Sequence, residues 1–169
     1  MNDFPYAVHL ALRQALLPAA TKFMSFAPLS FIASFGALDV YFGPDDQWTV
    51  QCGPHACDTA GLRARASLLW LPLLEHEYPV VRAALLAGLA QAGLQPAAQL
   101  ATTFPVNDLL ALALTSGCSL YWVDLALNWT SHVGVAPELI PAVRALALNP
   151  SIGQQIRHRA KRLYYTGKA

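Results

Sequence analysis

Apolar residues recur along most of the chain at three- and four-residue steps, the spacing that gives a helix one apolar face. Between Pro5 and about Met24 such a face is formed by Val8, Leu12, Ala15, Leu16 and Ala19. A second helix is predicted after Pro28, and its apolar residues are Phe31, Ile32 and Phe35. The pattern therefore predicts N-terminal helices within residues 1–36.

The spacing changes to alternation over residues 38–51. Leu38, Val40 and Phe42 alternate with other residues, and Trp48 and Val50 do the same after a short segment rich in Gly, Pro and Asp. Alternating apolar positions on either side of turn residues are typical of a β-hairpin. We therefore expect a small hairpin here, followed by a loop that ends at residue 57.

From residue 58 onward the pattern is again helical. Asp58 is a suitable N-cap for the first of these helices. Pro79, Pro96 and Pro137 stand at predicted helix starts, where the missing N–H leaves no hydrogen bond unmade. The predicted helices are 59–76, 79–92, 96–104, 106–117, 119–133, 137–148 and 151–165.

One of these helix starts carries a family resemblance. The segment from Glu77 to Leu86 has an acidic residue and a proline before an apolar-apolar-Arg step, with Arg82 as the arginine. It resembles the opening of the second helix of a HEAT repeat, and a fainter similarity begins at Asn149. The resemblance implies a mainly α fold of stacked antiparallel helical hairpins, HEAT-like or simply α-solenoid-like, over residues 58–165.

A chain of 169 residues is long enough for one domain with a substantial core and too short for two, so we predict one domain over residues 1–169. Its predicted parts are the N-terminal helices (1–36), an inserted hairpin and loop (38–57) and the helical stack (58–165).

Composition adds a constraint, because hydrophobic residues make up 55% of the chain and charged residues only 12%. Such a chain buries helices on several sides, covers an apolar surface with a partner or a second copy, or meets a membrane. A membrane-spanning helix needs roughly 20 consecutive apolar residues. The apolar stretches 83–107 and 109–123 are interrupted by Gly, Pro, Gln, Ser or Thr. We therefore predict no membrane span.

The N-terminal residues predict a location. Asp3 stands where a secretory signal would have basic residues, so we expect no such signal and a cytoplasmic location. The odd number of cysteines, three, agrees with a reducing compartment.

Candidate metal ligands occur in two short segments. Cys52, His55 and Cys57 are residue types that bind zinc, but a structural zinc site uses four ligands, and Cys118 is far away in sequence. We therefore prefer a loop with buried or free thiols, and a metal-dependent enzyme stays an alternative. Glu75 to Glu77 cannot converge on one ion from a regular helix, because consecutive residues point in different directions.

Known catalytic motifs are absent from the sequence. It contains no phosphate-binding glycine loop, no nucleophile elbow and no dinucleotide fingerprint. We therefore expect neither catalytic activity nor a cofactor.

Two polar helix faces are candidate partner-binding surfaces. On the predicted helix 119–133, one face carries Tyr121, Asp124, Asn128 and His132. On the C-terminal helix, a buried stripe of Ile152, Ile156, Ala160 and Leu163 leaves an outward set of Arg157, His158, Lys161 and Arg162. The alternative for each face is an ordinary solvated surface without a partner. Basic residues near the C-terminus of a helix are also favoured by the helix dipole.

The charges are distributed unevenly along the chain. No acidic residue follows Glu138, whereas six Lys or Arg residues do: Arg144, Arg157, Arg159, Lys161, Arg162 and Lys168. The net charge of the chain is only +1. A single basic helix on a nearly neutral protein favours an acidic protein partner over nucleic acid, which usually meets a broader positive surface.

These observations predict a non-enzymatic protein-interaction module that binds its partner with a helical groove. Small bacterial proteins with HEAT-like folds include adaptors, assembly chaperones and toxin-neutralising immunity proteins, and the resemblance does not choose among these. The alternatives are nucleic-acid binding through the C-terminal helix with Arg144 and, second, the metal-dependent enzyme. Self-association is compatible with the high apolar fraction.

Overall fold

The computed structural model describes residues 29–115 and 117–166. Four strands form one antiparallel sheet in sequence order: β1 (Ser30–Phe35), β2 (Leu38–Phe42), β3 (Trp48–Cys52) and β4 (His55–Asp58). Two-residue turns join β1 to β2 and β3 to β4. Each turn has glycine at its first position, where Gly36 and Gly53 adopt positive φ angles of 62° and 56°.

Helices make up most of the remaining described residues. The α-helices are α1 (Thr59–Arg63), α2 (Tyr78–Gln91), α3 (Ala97–Thr102), α4 (Val106–Thr115), α5 (Leu120–Val133), α6 (Ile140–Leu148) and α7 (Gln154–Thr166). Short 3₁₀-helices occur at Pro44–Asp46, Leu71–Glu75 and Pro137–Leu139. Helices account for 60% and strands for 15% of the described residues. No helix in this part of the chain is long and apolar enough to cross a membrane.

The architecture is mixed α/β with one sheet, and the prediction of a mainly α stack of HEAT-like hairpins is wrong. The HEAT-like segment does begin a helix, α2, with Glu77 at its N-cap. However, α2 packs against strand β1 as well as against α3. Arg82, the matching arginine, is exposed and makes no hydrogen bond or ion pair within the described residues. The motif marks a helix start, whereas the neighbour of its apolar face is decided by tertiary packing.

The helix predicted after Pro28 is also wrong, because Phe31, Ile32 and Phe35 belong to strand β1. The register of β1 shifts between Phe31 and Ala33, so Ile32 occupies a β-bulge. The bulge leaves Ile32 and Phe35 both buried, three residues apart, which is the spacing of a helix. The predicted helix over residues 5–24 lies outside the described residues.

The predicted helix 59–76 is interrupted in the structure. Helix α1 ends at Arg63, Arg65 has a positive φ of 54°, and Pro72 opens the 3₁₀-helix Leu71–Glu75. The positive φ of Arg65 takes the chain out of the helix, and Pro72 stands at the start of the next segment, where its missing N–H leaves no hydrogen bond unmade. Strand β4, predicted as part of a loop, has only one buried residue and therefore shows little alternation.

Other local predictions are confirmed. The hairpin over residues 38–51 is formed by β2 and β3, in which Val40 pairs with Val50. The Asp58 carboxylate accepts a hydrogen bond of 2.7 Å from the backbone N–H of Gly61, so Asp58 is the N-cap of α1. Predicted helices from residue 79 onward match α2 to α7 to within a few residues at most ends, except that a 3₁₀-turn precedes α6.

The core joins the sheet to the helices through aromatic side chains. Trp48 of β3 is fully buried and meets Phe104 edge to face, with ring centroids 5.3 Å apart. Its indole N–H donates a hydrogen bond of 2.9 Å to the hydroxyl of Thr103. Farther from the sheet, Trp129 of α5 is fully buried, and its indole N–H donates to the backbone carbonyl of His76.

Helix α2 approaches the backbone of β1 closely at Gly88. A Cβ atom at this position would lie 2.0 Å from the carbonyl oxygen of Ile32 and 2.7 Å from its carbonyl carbon. Real Cβ atoms do not approach backbone atoms this closely, so only glycine fits without moving the strand or the helix. The bulged residue of β1 and the small residue of α2 thus meet at one point.

We expect Gly88→Ala to destabilise the fold by about 1–3 kcal/mol, because the added methyl group forces two packed backbones apart. In a free helix the same change would stabilise by roughly 0.5–1 kcal/mol, so the sign of the effect is diagnostic. The measurement is urea unfolding followed by circular dichroism. Gly153→Ala is the matched control, because its methyl group would enter open space. An equal effect of the two substitutions would contradict the close packing of α2 on β1.

Candidate functional site

The polar face predicted on helix 119–133 lies on α5 and is largely exposed. Asn128 and His132 are exposed, whereas Asp124 accepts a hydrogen bond of 2.9 Å from Nη1 of Arg159 on α7. The same Nη1 also reaches the backbone carbonyl of Asp124, at 3.2 Å. Asp124 therefore holds α5 against α7.

Tyr121, at the N-terminal end of this face, is held in place on two sides. Its hydroxyl donates a hydrogen bond of 3.0 Å to Oε1 of Glu75. Its ring packs edge to face on Trp122, with centroids 4.8 Å apart, and Trp122 is buried. Nearly half of Tyr121 is still exposed, as is nearly half of its neighbour Leu120 (49% and 47%).

Glu75 and its neighbours do not occupy one helix. Glu75 ends a 3₁₀-helix, His76 is extended, and Glu77 caps α2. The ring of His76 packs near Phe35 of β1 instead of joining the two carboxylates. The regular helix that was predicted for these three residues is therefore absent.

The basic residues predicted on the C-terminal helix lie on the outer side of α7. His158, Lys161 and Arg162 are exposed, and Arg157 is half-buried. Nη1 of Arg157 makes a long hydrogen bond of 3.4 Å to the backbone carbonyl of Pro150. The predicted buried stripe of α7 has Ala160 at its centre, fully buried, with Ile156 and Leu163 half-buried beside it.

Helices α6 and α7 enclose a groove of about 280 Å³, here called the α6–α7 groove. Its lining residues are Arg144, Ala147 and Leu148 from α6, and Lys161, Tyr164 and Tyr165 from α7. Leu148 and Tyr165 are 65% and 69% exposed, so apolar surface lies open beside two cations.

The cations of this groove are not neutralised within the described part of the chain. The ion pairs there join Arg63 to Asp108 and Arg159 to Asp124, and neither involves Arg144 or Lys161. Since no acidic residue follows Glu138 in the sequence, α6 and α7 supply no carboxylate of their own. The groove therefore presents net positive charge around an apolar centre.

Of the eight residues predicted for partner binding, only Lys161 lines this groove. Arg144 belongs to the predicted nucleic-acid surface, whereas Leu148, Tyr164 and Tyr165 are not among the predicted site residues. The available signal was the pair Tyr164 and Tyr165, which follows the basic residues of α7 after Leu163, because tyrosine is more often buried than Lys or Arg. Leu148 gave no such signal, since its spacing fits the apolar face of α6.

The candidate metal ligands form a pair on the sheet and not a cluster of ligands. Cys52 pairs with His55 across β3 and β4, while Cys57 is buried. No group of three or more His, Cys, Asp or Glu residues suited to a metal ion occurs within residues 29–115 and 117–166. Burial raises the pKa of the Cys57 thiol; contacts with Trp70 and Ser67 lower it, and the charge of Asp58 raises it further.

The chain matches no family model, and comparison with curated proteins and with solved structures finds no significant similarity.

We expect the Cys57 thiol to react slowly with iodoacetamide in the folded protein at pH 8. Only the thiolate reacts, and a pKa raised above the ordinary value of 9.0 leaves little thiolate at that pH. Alkylation at Cys57, read by peptide mass spectrometry, should be at least about tenfold slower than in urea-unfolded chain at the same pH. Equal rates in the folded and unfolded protein would contradict this description of Cys57.

The contact between Tyr121 and Glu75 predicts a second measurable pKa change. Burial, the hydrogen bond to Glu75 and the charge of Glu75 all raise the pKa of Tyr121 above 10.0, so the contact persists at neutral pH and is lost as Tyr121 ionises in alkali. Glu75→Gln should lower this pKa, but not fully to 10.0, because burial remains. Difference absorbance of tyrosinate measures it, with Tyr121→Phe identifying the signal. An unchanged titration in Glu75→Gln would show that the two side chains do not interact.

Proposed function

We propose that this protein is a non-enzymatic protein-interaction module and that its α6–α7 groove binds an acidic segment of a partner protein. The observation that carries the proposal is the combination of Arg144 and Lys161, unpaired within the described residues, with the exposed apolar surface of Leu148 and Tyr165. Carboxylates of the partner would pair with the cations, and an apolar side chain between them would cover the leucine and the tyrosine.

The residue types of the groove favour this use. Arg and Tyr are enriched among residues that dominate binding energy at protein interfaces, particularly where neighbouring contacts exclude water. The groove, at about 280 Å³, lies just below the pockets of roughly 300–1,000 Å³ that hold small molecules and cofactors. Its size suits one or two side chains of a protein segment.

Nucleic acid is a less suitable ligand for the same surface. Contacts with phosphates would use Arg144 and Lys161 but would leave Leu148 exposed to water. Nucleic-acid-binding surfaces are typically broad and positive, whereas this chain is nearly neutral, with a net charge of +1. An acidic protein segment uses both the charge and the apolar surface of the groove.

The proposal includes a cytoplasmic location, which is favoured because Cys52, Cys57 and Cys118 form no disulfide with one another. Adaptors, assembly chaperones and immunity proteins against toxins all act by binding another protein through such a surface. The groove chemistry is common to these three roles.

The experiment is affinity capture of the tagged protein from its native cell extract, followed by binding assays with the isolated partner. We expect one acidic protein to be retained after nuclease treatment and to bind at least about tenfold more weakly to the double variant Arg144→Glu/Lys161→Glu. Binding should also weaken with added salt, because exposed charges are screened.

Arg82→Glu is the matched control, since Arg82 is an exposed arginine on α2, outside the groove, and its reversal changes the charge in the same direction. Circular dichroism verifies that each variant is folded. A captured protein that binds the groove variant and the wild type equally would refute the proposed site. Loss of all captured material on nuclease treatment would instead establish nucleic acid as the ligand.

A further inference from the structure

Glu75 and Tyr121 form a second exposed contact, and Leu120, next to Tyr121 in the chain, is also exposed; these three residues are here called the acidic-aromatic patch. The Tyr121 hydroxyl donates to one carboxylate oxygen of Glu75, which leaves the other oxygen of Glu75 available. Within the described residues Glu75 forms no ion pair. Glu77, two residues further along the chain, is also exposed and adds a second carboxylate nearby in sequence.

This patch has the properties that the α6–α7 groove requires of its ligand. The groove offers two cations without carboxylate partners in the described chain, together with the exposed side chains of Leu148 and Tyr165. The patch offers a carboxylate without a cation, together with half-exposed Leu120 and Tyr121. Opposite charges around apolar centres are the arrangement of complementary protein interfaces.

The patch is also rigid, which reduces the entropy lost on binding. Tyr121 is fixed by its hydrogen bond to Glu75 and by its ring contact with the buried Trp122. The side chains of Tyr121 and Glu75 therefore lose part of their conformational entropy during folding, and less is lost on association. An exposed tyrosine without such contacts would lose more conformational freedom in an interface.

The orientation of α7 separates the groove from α5, the helix that contains Tyr121. Arg159 of α7 points toward α5, where it pairs with Asp124 one turn after Tyr121. Lys161, two residues further along α7, is rotated by roughly 200° from Arg159 because a helix turns about 100° per residue. The groove therefore opens away from α5, and another molecule must supply the acidic segment.

We infer that a second copy of this chain docks its acidic-aromatic patch into the α6–α7 groove. This inference rests on the proposed function of the groove and names its occupant. Because patch and groove are different surfaces, the contact is head to tail, and a dimer formed in this way leaves one patch and one groove free. Assembly therefore continues beyond a dimer as concentration rises, unless a stronger acidic partner occupies the groove.

The large aromatic residues of the core are not available for this contact between two copies. Trp70, Trp122 and Trp129 are buried in the core, so the tryptophans account for part of the apolar composition without an interface. Association then depends on the few exposed residues of the two surfaces and on their charges. We accordingly expect it to weaken with salt.

The test is sedimentation velocity of the untagged full-length protein over a range of concentrations at low salt. We expect the mean mass of the wild type to rise past that of a dimer. The groove variant Arg144→Glu/Lys161→Glu and the patch variant Glu75→Lys/Tyr121→Ala should each lower the association constant at least about tenfold. A one-to-one mixture of the two variants should form a dimer and nothing larger, because only one intact groove and one intact patch remain.

Two controls keep the outcome interpretable. Arg82→Glu and Glu138→Lys reverse exposed charges outside both surfaces and should assemble as the wild type does. If the patch double variant is unfolded by circular dichroism, Glu75→Gln replaces it and should still weaken assembly.

A wild type that stays monomeric at every concentration overturns the inference, as does a mixture of the two variants that stays monomeric. Either result leaves the proposed function standing if the groove variant still loses its captured acidic partner. If both variants keep the captured partner but lose the assembly that the wild type shows, the groove binds a second copy and not that partner, which refutes the proposed function of the groove and supports the self-contact.

Discussion

Trp48 connects the sheet to the helices through both its main chain and its side chain. Its backbone N–H donates to the hydroxyl of Thr59, and that hydroxyl donates in turn to the Trp48 carbonyl, which fixes the start of α1 beside β3. Its indole meets Phe42 and Phe104 edge to face and donates to Thr103. Fully burying an aromatic side chain stabilises the folded state by roughly 1.5–3 kcal/mol. The hydrogen bonds of Trp48 form in the protein interior, where the low dielectric constant strengthens them. Trp48 thus holds both the start of α1 and the segment after α3 against the sheet.

The second constraint is the close approach of α2 to β1. With Gly88 against the Ile32 carbonyl, α2 lies on β1, and at the N-terminus of α2 the ring of Tyr78 contacts Trp129 of α5. Helix α5 in turn meets α7 through Asp124 and Arg159. A chain of contacts therefore leads from the sheet to the C-terminal helix: β1 contacts α2, α2 contacts α5, and α5 contacts α7.

This order of packing explains why the candidate surfaces lie where they do. Helices α6 and α7 are the last in the described chain and pack mainly on each other, so part of their apolar surface, at Leu148 and Tyr165, stays exposed. The same segment of sequence contains no carboxylate after Glu138. The apolar exposure and the positive charge coincide because both belong to the C-terminal helices. On the other side of α7, α5 carries Tyr121 to the carboxylate of Glu75.

The sequence by itself determined the local elements whose signals are contained in neighbouring residues. Alternation specified the β2–β3 hairpin, the carboxylate of Asp58 specified the cap of α1, and prolines specified helix starts such as that of α2. It also determined the segregation of charge toward the C-terminus. Such features depend on side-chain type and on spacing of a few residues, which a single sequence displays directly.

Only the tertiary structure decided what those elements pack against. Strand β1 resembles a helix in sequence because a bulge at Ile32 gives its buried residues helical spacing, and pairing with β2 is what makes it a strand. The α6–α7 groove combines Arg144 with Tyr165, whose proximity depends on how two helices cross. The contact of Tyr121 with Glu75 joins residues 46 positions apart. Long-range contacts of this kind follow from the packing of whole surfaces, and the periodicity of one segment does not encode its neighbour.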